Sequence, residues 1–131
     1  MPEFTNPFPG VVPRKMTKNE LIRAIMLNVA AELEAVHIYT SHMDATDDEE
    51  ARKVLYDIAL EELVHAGEFT SLLYRLDPIA AAKAQEGFGE VEDLLGSQAP
   101  AEVTAEDAEE LAAEVSPAGE LTVGSLKESK G

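Results

Sequence analysis

The sequence predicts an all-α protein: an antiparallel hairpin of two long helices, followed by a short C-terminal helix. The first observation behind this prediction is a pair of segments whose apolar residues recur in alternating steps of three and four, the spacing of one helix face. The second is the short polar stretch between them, which leaves room only for a tight connection. Two long helices are half of a four-helix bundle, so we expect a second copy of the chain to complete it.

A capping signal marks the beginning of the first helix. Residues 1–16 contain four prolines and no helical periodicity, so we interpret them as an extended arm. Thr17 and Glu20 then have the spacing of a capping box with Thr17 as the N-cap. The helical pattern continues from there to about Met43.

Short polar residues end this pattern and begin the next one. The stretch 44–48 suits a turn and a new N-cap. The second pattern runs from about Glu49 to Leu76 and ends before Asp77 and Pro78, because proline cannot continue a helix. Each helix would be about 40 Å long at ~1.5 Å per residue.

The rest of the chain has three parts of different composition. After Pro78 we expect one or two alanine-rich turns, then the glycines of residues 87–89 and a short helix over residues 90–95; this completes a helical domain of residues 17–96. Residues 97–118 are acidic without a basic residue and predict a disordered linker. In the final segment, residues 119–131, the stretch 121–127 turns apolar again.

Composition restricts the classes of function. The chain of 131 residues holds one small domain, and its formal net charge of -16 argues against nucleic acid or an anionic membrane as a partner, while it would attract small cations. No segment approaches the ~18 consecutive apolar residues of a membrane span, and the start does not resemble a signal peptide, so we expect a cytoplasmic protein. The absence of cysteine excludes disulfides, iron–sulfur clusters and thiolate metal sites, which leaves carboxylates and imidazoles as metal ligands.

Each long helix has one apolar face that polar residues interrupt near its middle. Glu32 interrupts the first face, and Glu62 and His65 interrupt the second. The two faces consist of Ile22, Ile25, Val29, Glu32, Val36, Tyr39 and Met43, and of Leu55, Ile58, Glu62, His65, Phe69, Leu72 and Leu76. A charged group in an apolar face is costly unless it is paired or binds a metal, and neither face contains a lysine or arginine.

We expect these interruptions to meet in space. Glu32 and Glu62 are at similar distances from the predicted turn, so an antiparallel hairpin brings them to the same height, and His65 shares a helix face with Glu62. Ferritin-like di-iron sites use one Glu from each of two helices and a Glu-x-x-His pair from each of two others. The chain supplies half of this set, which predicts a di-metal site completed by a second copy.

Taken singly, each of these residues also fits an ordinary structural role. A glutamate in such a face often sets helix register, and a histidine is often an ordinary core residue; the three together favour the metal. For Tyr39, core packing and a hydrogen bond to a ligand both stay open. Glu34 is either solvated or guides incoming cations. Glu61, His37 and His42 are expected to face solvent.

At these residues the chain resembles the encapsulated ferritin family, from about residue 17 to residue 95. The resemblance rests on residues 31–39, AELEAVHIY, and residues 61–65, EELVH. It implies a two-helix protomer that pairs into a ferroxidase dimer, with dimers assembling into a ring, typically a decamer. It also implies a di-iron centre at the dimer interface with Glu32, Glu62 and His65 as ligands and Tyr39 nearby.

The chain departs from the family pattern at two positions. Members often carry an acidic residue just before the first ligand and a tryptophan before the tyrosine, where this chain has Ala31 and Ile38. Glu34 is then the acidic residue left for a metal entry site.

The C-terminal segment resembles a second signature, the cargo-loading peptide of encapsulin cargo proteins, over residues 119–127, GELTVGSLK. Leu121, Val123 and Leu126 are apolar anchors that suit a preformed groove, and Gly124 allows the backbone to bend between them. The alternative is a frayed tail with chance apolar residues. The resemblance implies an encapsulin shell protein as partner and the lumen of an encapsulin nanocompartment as location.

Together the two resemblances imply a ferroxidase that oxidises Fe(II) with O2 and delivers iron for storage inside the shell. A carboxylate-rich site prefers hard ferric iron, which fits this activity. Two other functions would use the same residues. One is a di-metal peroxidase, and the other is a non-catalytic iron-binding adaptor carried to the shell.

Overall fold

The structure, a computed structural model, describes residues 11–97 and residue 104. Within them the chain forms three α-helices, α1 (Lys18–Asp44), α2 (Glu49–Leu76) and α3 (Pro78–Leu95), and no strand. The predicted all-α architecture is confirmed. Leu95 begins a second unit of the chain, of which only residues 95–97 and 104 are described.

Hydrogen bonds from side chains fix the first turn of α1, as the capping signal predicted. The Thr17 hydroxyl accepts a hydrogen bond from the backbone N–H of Glu20 at 3.3 Å, and the Glu20 carboxylate accepts one from the N–H of Thr17 at 2.8 Å. Arg14 donates two further hydrogen bonds to this carboxylate, at 2.7 and 2.6 Å. These hydrogen bonds lower the pKa of Glu20 to about 2, and those from Arg14 have the largest effect. They also connect the end of the arm to α1.

The loop between α1 and α2 is held by side chains of α2. Asp48 caps α2 by accepting a hydrogen bond from the N–H of Ala51 at 2.9 Å. Arg52 donates to the carbonyl oxygens of Met43 and Thr46, at 2.9 and 3.2 Å, and so satisfies acceptors at the end of α1. The loop is short, so α1 and α2 return on each other as an antiparallel pair.

The contact line between α1 and α2 includes residues of the predicted face of α1 but differs from the predicted face of α2. The buried side chains are Ile25 and Met43 on α1, and Ala59 and Ala66 on α2. Because alanine has no bulk beyond Cβ, α1 approaches α2 closely along this line. Ile58, on the predicted face, is rotated from Ala59 by about 100° and is 39% exposed. The apolar face predicted for α2 therefore points partly outward, to a side that another helix could cover.

The third helix is longer than the sequence predicted. It begins at Pro78 and continues through residues 87–89 without interruption. Its start is explained by Asp77, whose carboxylate accepts hydrogen bonds from the N–H groups of Ile79 and Ala80, at 3.1 and 3.2 Å. Proline suits the first helical position, because an N–H there would have no partner within the helix. The alanine-rich stretch after it has high helix propensity.

Helix α3 does not pack on α1 or α2 in the described chain, and none of its side chains is buried. Its apolar residues are accordingly open to solvent: Phe88 is 57% exposed, and Leu94 and Leu95 are each 82% exposed. Within the described chain, α3 therefore follows the predicted hairpin without packing contacts that would stabilise it.

The hairpin has a second apolar face, on the side opposite the predicted metal ligands. Helical rotation brings Met26 and Leu33 of α1 to this side together with Leu60, Leu63 and Val64 of α2. These side chains are between 40 and 57% exposed. A single copy of the chain thus leaves apolar surface uncovered on both sides of the hairpin.

Several predictions concern residues outside the described part of the chain. These are most of the arm, most of the acidic linker of residues 97–118, and the whole segment 119–131 with its anchors Leu121, Val123, Gly124 and Leu126. Among the described residues, no helix has the length and apolar character needed to cross a membrane.

Candidate metal centre

Glu32 of α1 and Glu62 and His65 of α2 lie together near the middle of the hairpin. The His65 Nδ1 atom is 3.1 Å from Glu62 Oε2 and 3.9 Å from Glu32 Oε2. One potential ligand atom from each residue lies within 4.8 Å of the other two. In the part of the chain that the structure describes, no other group of three acidic or histidine side chains comes together in this way.

The local fold explains why these three side chains meet. Glu62 and His65 are one turn apart on α2, so they share a face. The buried alanines Ala59 and Ala66 lie on either side of them along α2. Because these alanines are small, α1 can lie close enough to α2 for the Glu32 side chain to reach Glu62 and His65. These alanines were not among the predicted contact residues, although small residues seven apart beside an apolar face are a signal of close helix packing.

The group is partly open to solvent in the single chain. The side chains of Glu32 and Glu62 are 22% and 17% exposed, and that of His65 is 46% exposed. The hairpin therefore covers the two carboxylates from one side and leaves the imidazole open on the other. A cation held by these three side chains would have coordination positions available to ligands from outside the chain.

The two carboxyl groups and the imidazole shift one another's pKa values. A hydrogen bond to Glu62 raises the pKa of Glu32, and burial and the Glu62 charge act in the same direction. The same hydrogen bond, together with the one to His65, lowers the pKa of Glu62. The hydrogen bond to Glu62 raises the pKa of His65, and the charges of Glu62, Glu32 and Glu68 add to this effect. A cation that enters the group would displace any proton that these side chains hold.

The donor set suits a divalent first-row metal. Carboxylate oxygens and imidazole nitrogens bind such ions at about 2.0–2.2 Å, so adjacent ligand atoms around one ion lie roughly 3 Å apart. The separations of 3.1 and 3.9 Å between His65 Nδ1 and the two carboxylates need only small side-chain movements to match this geometry. Carboxylate and imidazole together favour iron, manganese or zinc over softer ions.

The remaining residues singled out by the sequence lie outside this group. Tyr39 and Glu34 are half-buried on α1, and within the described residues Tyr39 forms no hydrogen bond to the three ligands. The roles predicted for both residues stay predictions. Glu61, His37 and His42 are exposed, as expected.

The sequence and the fold of the chain are similar to those of known proteins. No family model matches the chain. The chain is 47% identical over 131 residues to the encapsulin nanocompartment cargo protein EncC of Myxococcus xanthus (strain DK1622), covering 97% of this chain and 99% of that protein. The crystal structure of the encapsulated ferritin domain from Pyrococcus furiosus is 38% identical, with a TM-score of 0.66, and the match covers 73% of this chain and 98% of that domain.

The chain belongs to the encapsulated ferritin-like family. A further member of this family, the ferritin-like-encapsulin shell fusion protein of Pyrococcus furiosus, is 42% identical over 83 residues. That match covers 63% of this chain and 24% of the fusion protein. The family resemblance predicted from residues 31–39 and 61–65 is confirmed, and so is the ferritin-like fold.

Proposed function

We propose that this encapsulated ferritin-like protein is a ferroxidase, which oxidises Fe(II) to Fe(III) with O2 at a di-iron site shared between two chains. The observation that carries the proposal is the group of Glu32, Glu62 and His65, two carboxylates and an imidazole with ligand atoms within 4.8 Å. The iron is the substrate of this reaction. Two Fe(II) ions give one electron each to O2, which takes up two protons and becomes hydrogen peroxide.

The three side chains have different tasks in this proposal. Glu62 Oε2 is 3.1 Å from His65 Nδ1, and Glu62 and Glu32 have ligand atoms within 4.8 Å of each other, so Glu62 is our candidate for the carboxylate that bridges two iron ions. Glu32 and His65 would each hold one side of the pair. Metal binding requires the deprotonated forms, so Glu32 and His65, whose pKa values are raised, would release protons on iron binding, and the negative charge of the two carboxylates stabilises Fe(III) more than Fe(II).

The sharing of the site between two chains follows from the number of ligands and from the surface around them. Three side chains are too few for two iron ions, and a second copy would supply three more. The imidazole of His65 is 46% exposed, and the apolar side chains of Ile58 and Leu72 beside it are 39% and 40% exposed. A second hairpin laid on this side would cover these groups and close the site against water.

Assembly beyond the dimer is supported by the second apolar face and by the uncovered surface of α3. A chain with apolar surface on both sides of its hairpin has contacts left after it has paired once. If each contact rotates the next copy by the same angle, the assembly closes into a ring. We propose such a ring, with the decamer as the expected size.

The destination of the protein is the third part of the proposal. The Myxococcus xanthus relative is a cargo protein of an encapsulin nanocompartment and aligns with almost the whole chain. Residues 119–127 carry the pattern of a cargo-loading peptide, with Leu121, Val123 and Leu126 as anchors and Gly124 between them. We propose that this segment docks on an encapsulin shell protein, so that the protein lies in the lumen of the shell and the iron that it oxidises is stored there.

Ferroxidase activity is tested by mixing the metal-free protein with Fe(II) without air, then adding O2 and following ferric absorbance. Removing a residue that only hydrogen-bonds to a metal ligand typically costs ~10–100-fold in activity. The variant Glu62→Ala removes a ligand itself, so its oxidation rate should fall by more than that. Glu61→Ala is the matched control: it changes the adjacent, exposed glutamate and should keep the rate. An unchanged rate in Glu62→Ala would exclude the assigned site.

The same preparations separate the other two functions. Faster turnover with hydrogen peroxide than with O2 would indicate the peroxidase, and iron binding without repeated oxidation would indicate the adaptor. Sedimentation with and without metal tests the shared site, since bound metal should promote association. A metal-loaded monomer would contradict sharing between chains.

A further inference from the structure

The imidazole of His65 has two nitrogens, and only one of them faces the other predicted ligands. Nδ1 is 3.1 Å from Glu62 Oε2 and 3.9 Å from Glu32 Oε2. Nε2 is on the opposite edge of the ring, in a side chain that is 46% exposed, and within residues 11–97 it has no hydrogen-bond partner. A histidine that binds metal through one nitrogen usually donates the N–H of the other to a carboxylate or carbonyl oxygen, which fixes the ring and its tautomer.

Glu68 is the carboxylate that helix geometry brings toward this outer edge. It follows His65 by three residues on α2, so the two side chains are neighbours on the helix surface. Side chains in a helix lean toward its N-terminus and cover the preceding turn, which for Glu68 is the turn that carries His65. Glu61, four residues before His65, leans away from it for the same reason.

The electrostatics of His65 agree with this geometry. Outside the group of three, Glu68 is the carboxylate whose charge raises the pKa of His65. The Glu68 side chain is exposed, and it forms no ion pair with His65 among the described residues. The neighbouring Glu61 does not contribute to the shift.

We propose that Glu68 is a positioning residue for the metal site, which accepts a hydrogen bond from the Nε2–H group of His65 when Nδ1 binds a metal ion. The bond keeps the proton on Nε2, leaves the Nδ1 lone pair available to the metal, and holds the plane of the ring. Glu68 does not touch the metal itself. This inference rests on the proposed metal site and adds to it a carboxylate outside the ligand set.

The test is an anaerobic titration of the full chain with Co(II), which binds such ligands without being oxidised. Glu68→Ala should weaken binding by about 10-fold, the lower end of the range for loss of an outer partner, because the side chain is exposed. Glu61→Ala removes the same charge from the same helix and should leave the affinity unchanged. Glu68→Gln keeps an acceptor oxygen and should fall between the wild type and Glu68→Ala.

A nitrogen NMR spectrum of the Zn(II)-bound protein, labelled at histidine, gives a readout that a merely structural role of Glu68 would not move. We expect a protected Nε2–H signal for His65 that is lost in Glu68→Ala. Equal Co(II) affinity in Glu68→Ala and the wild type would overturn this inference alone. An equal loss of Co(II) affinity in Glu68→Gln and Glu68→Ala would also overturn it, because loss of the negative charge alone would then explain the effect. Absence of Co(II) binding in the wild type would overturn the proposed metal site as well.

Discussion

In the metal-free protein, Glu32, Glu62 and His65 influence one another's ionisation. Residue types and spacing were enough to predict that Glu32, Glu62 and His65 would meet, because helical periodicity fixes which residues share a face. Spacing could not predict how their protons are distributed. That depends on the contacts of the folded chain: hydrogen bonds to Glu32 and His65 lower the pKa of Glu62, while the hydrogen bond to Glu62 raises the pKa values of Glu32 and His65.

Metal binding should therefore weaken as the pH falls. The pKa of His65 is raised above 6.5, so the protonated imidazole, which cannot bind a metal through Nδ1, persists to higher pH than in an ordinary histidine. The carboxyl group of Glu32, whose pKa is also raised, adds a second proton at lower pH. The dissociation constant for Co(II) should rise by about tenfold per pH unit for each proton displaced.

Titrations between about pH 8 and pH 5.5 measure this dependence, a range that spans the ordinary histidine pKa of about 6.5. The variant His65→Gln should bind more weakly and with a shallower dependence, since its amide does not titrate. A dissociation constant that is independent of pH over this range would mean that the metal binds elsewhere.

At the scale of the helices, the boundaries that depend on local capping were predicted well. Thr17, Asp48 and the end of α2 at Leu76 are as expected, because a cap involves only residues close in sequence. The extent of α3 was wrong. Glycine lowers helix stability by only about 0.5–1 kcal/mol relative to alanine, so the glycines of residues 87–89 do not stop a well-capped, alanine-rich helix.

The part of α2 that lies against α1 could not be predicted from periodicity either. A pattern of apolar residues defines a face about 100° wide or more, but not which edge of that face lies against the neighbour. Here the small residues Ala59 and Ala66 form the contact, and Ile58 points partly outward. The separation between α1 and α2 at the metal centre thus depends on residues that carry no chemistry of their own.

Replacing one of these alanines should affect stability and metal binding together. Ala59 is 2% exposed, so Ala59→Leu forces extra volume between α1 and α2. We expect a loss of about 1–3 kcal/mol in the free energy of unfolding, together with weaker Co(II) binding because Glu32 is moved away from α2. Ala30→Leu, at an exposed position of α1, is the control and should change neither quantity much. Thermal unfolding and Co(II) titration measure the two effects, and full retention of metal affinity in Ala59→Leu would contradict the role of the close contact.

At the scale of the whole molecule, the single chain buries little of its apolar surface. Four residues of the described part form its core, while both sides of the hairpin and the whole of α3 keep exposed apolar side chains. The formal net charge of -16 opposes association unless cations or apolar contacts offset it. Metal and assembly are therefore expected to depend on each other.

Packaging in a shell should depend on the last residues of the chain and not on the metal centre. Removal of residues 119–131 should abolish co-purification with a co-expressed encapsulin shell protein, while iron oxidation in solution is retained. A shorter truncation of residues 128–131 leaves the sequence GELTVGSLK intact and should still be packaged. Packaging of the longer truncation would refute the docking role of Leu121, Val123 and Leu126.

The junction between α2 and α3 consists of a single non-helical residue. Asp77, with φ -129° and ψ 90°, donates its N–H to the carbonyl of Leu73 at 2.8 Å and caps α3 with its carboxylate. Because no other residue separates the two helices, a change in the backbone angles of Asp77 rotates α3 as a whole relative to α2. The 18 residues of α3 span about 27 Å, and a rotation of about 10° at Asp77 would carry the far end through about 5 Å. One pair of backbone angles thus sets the direction in which α3 leaves α2.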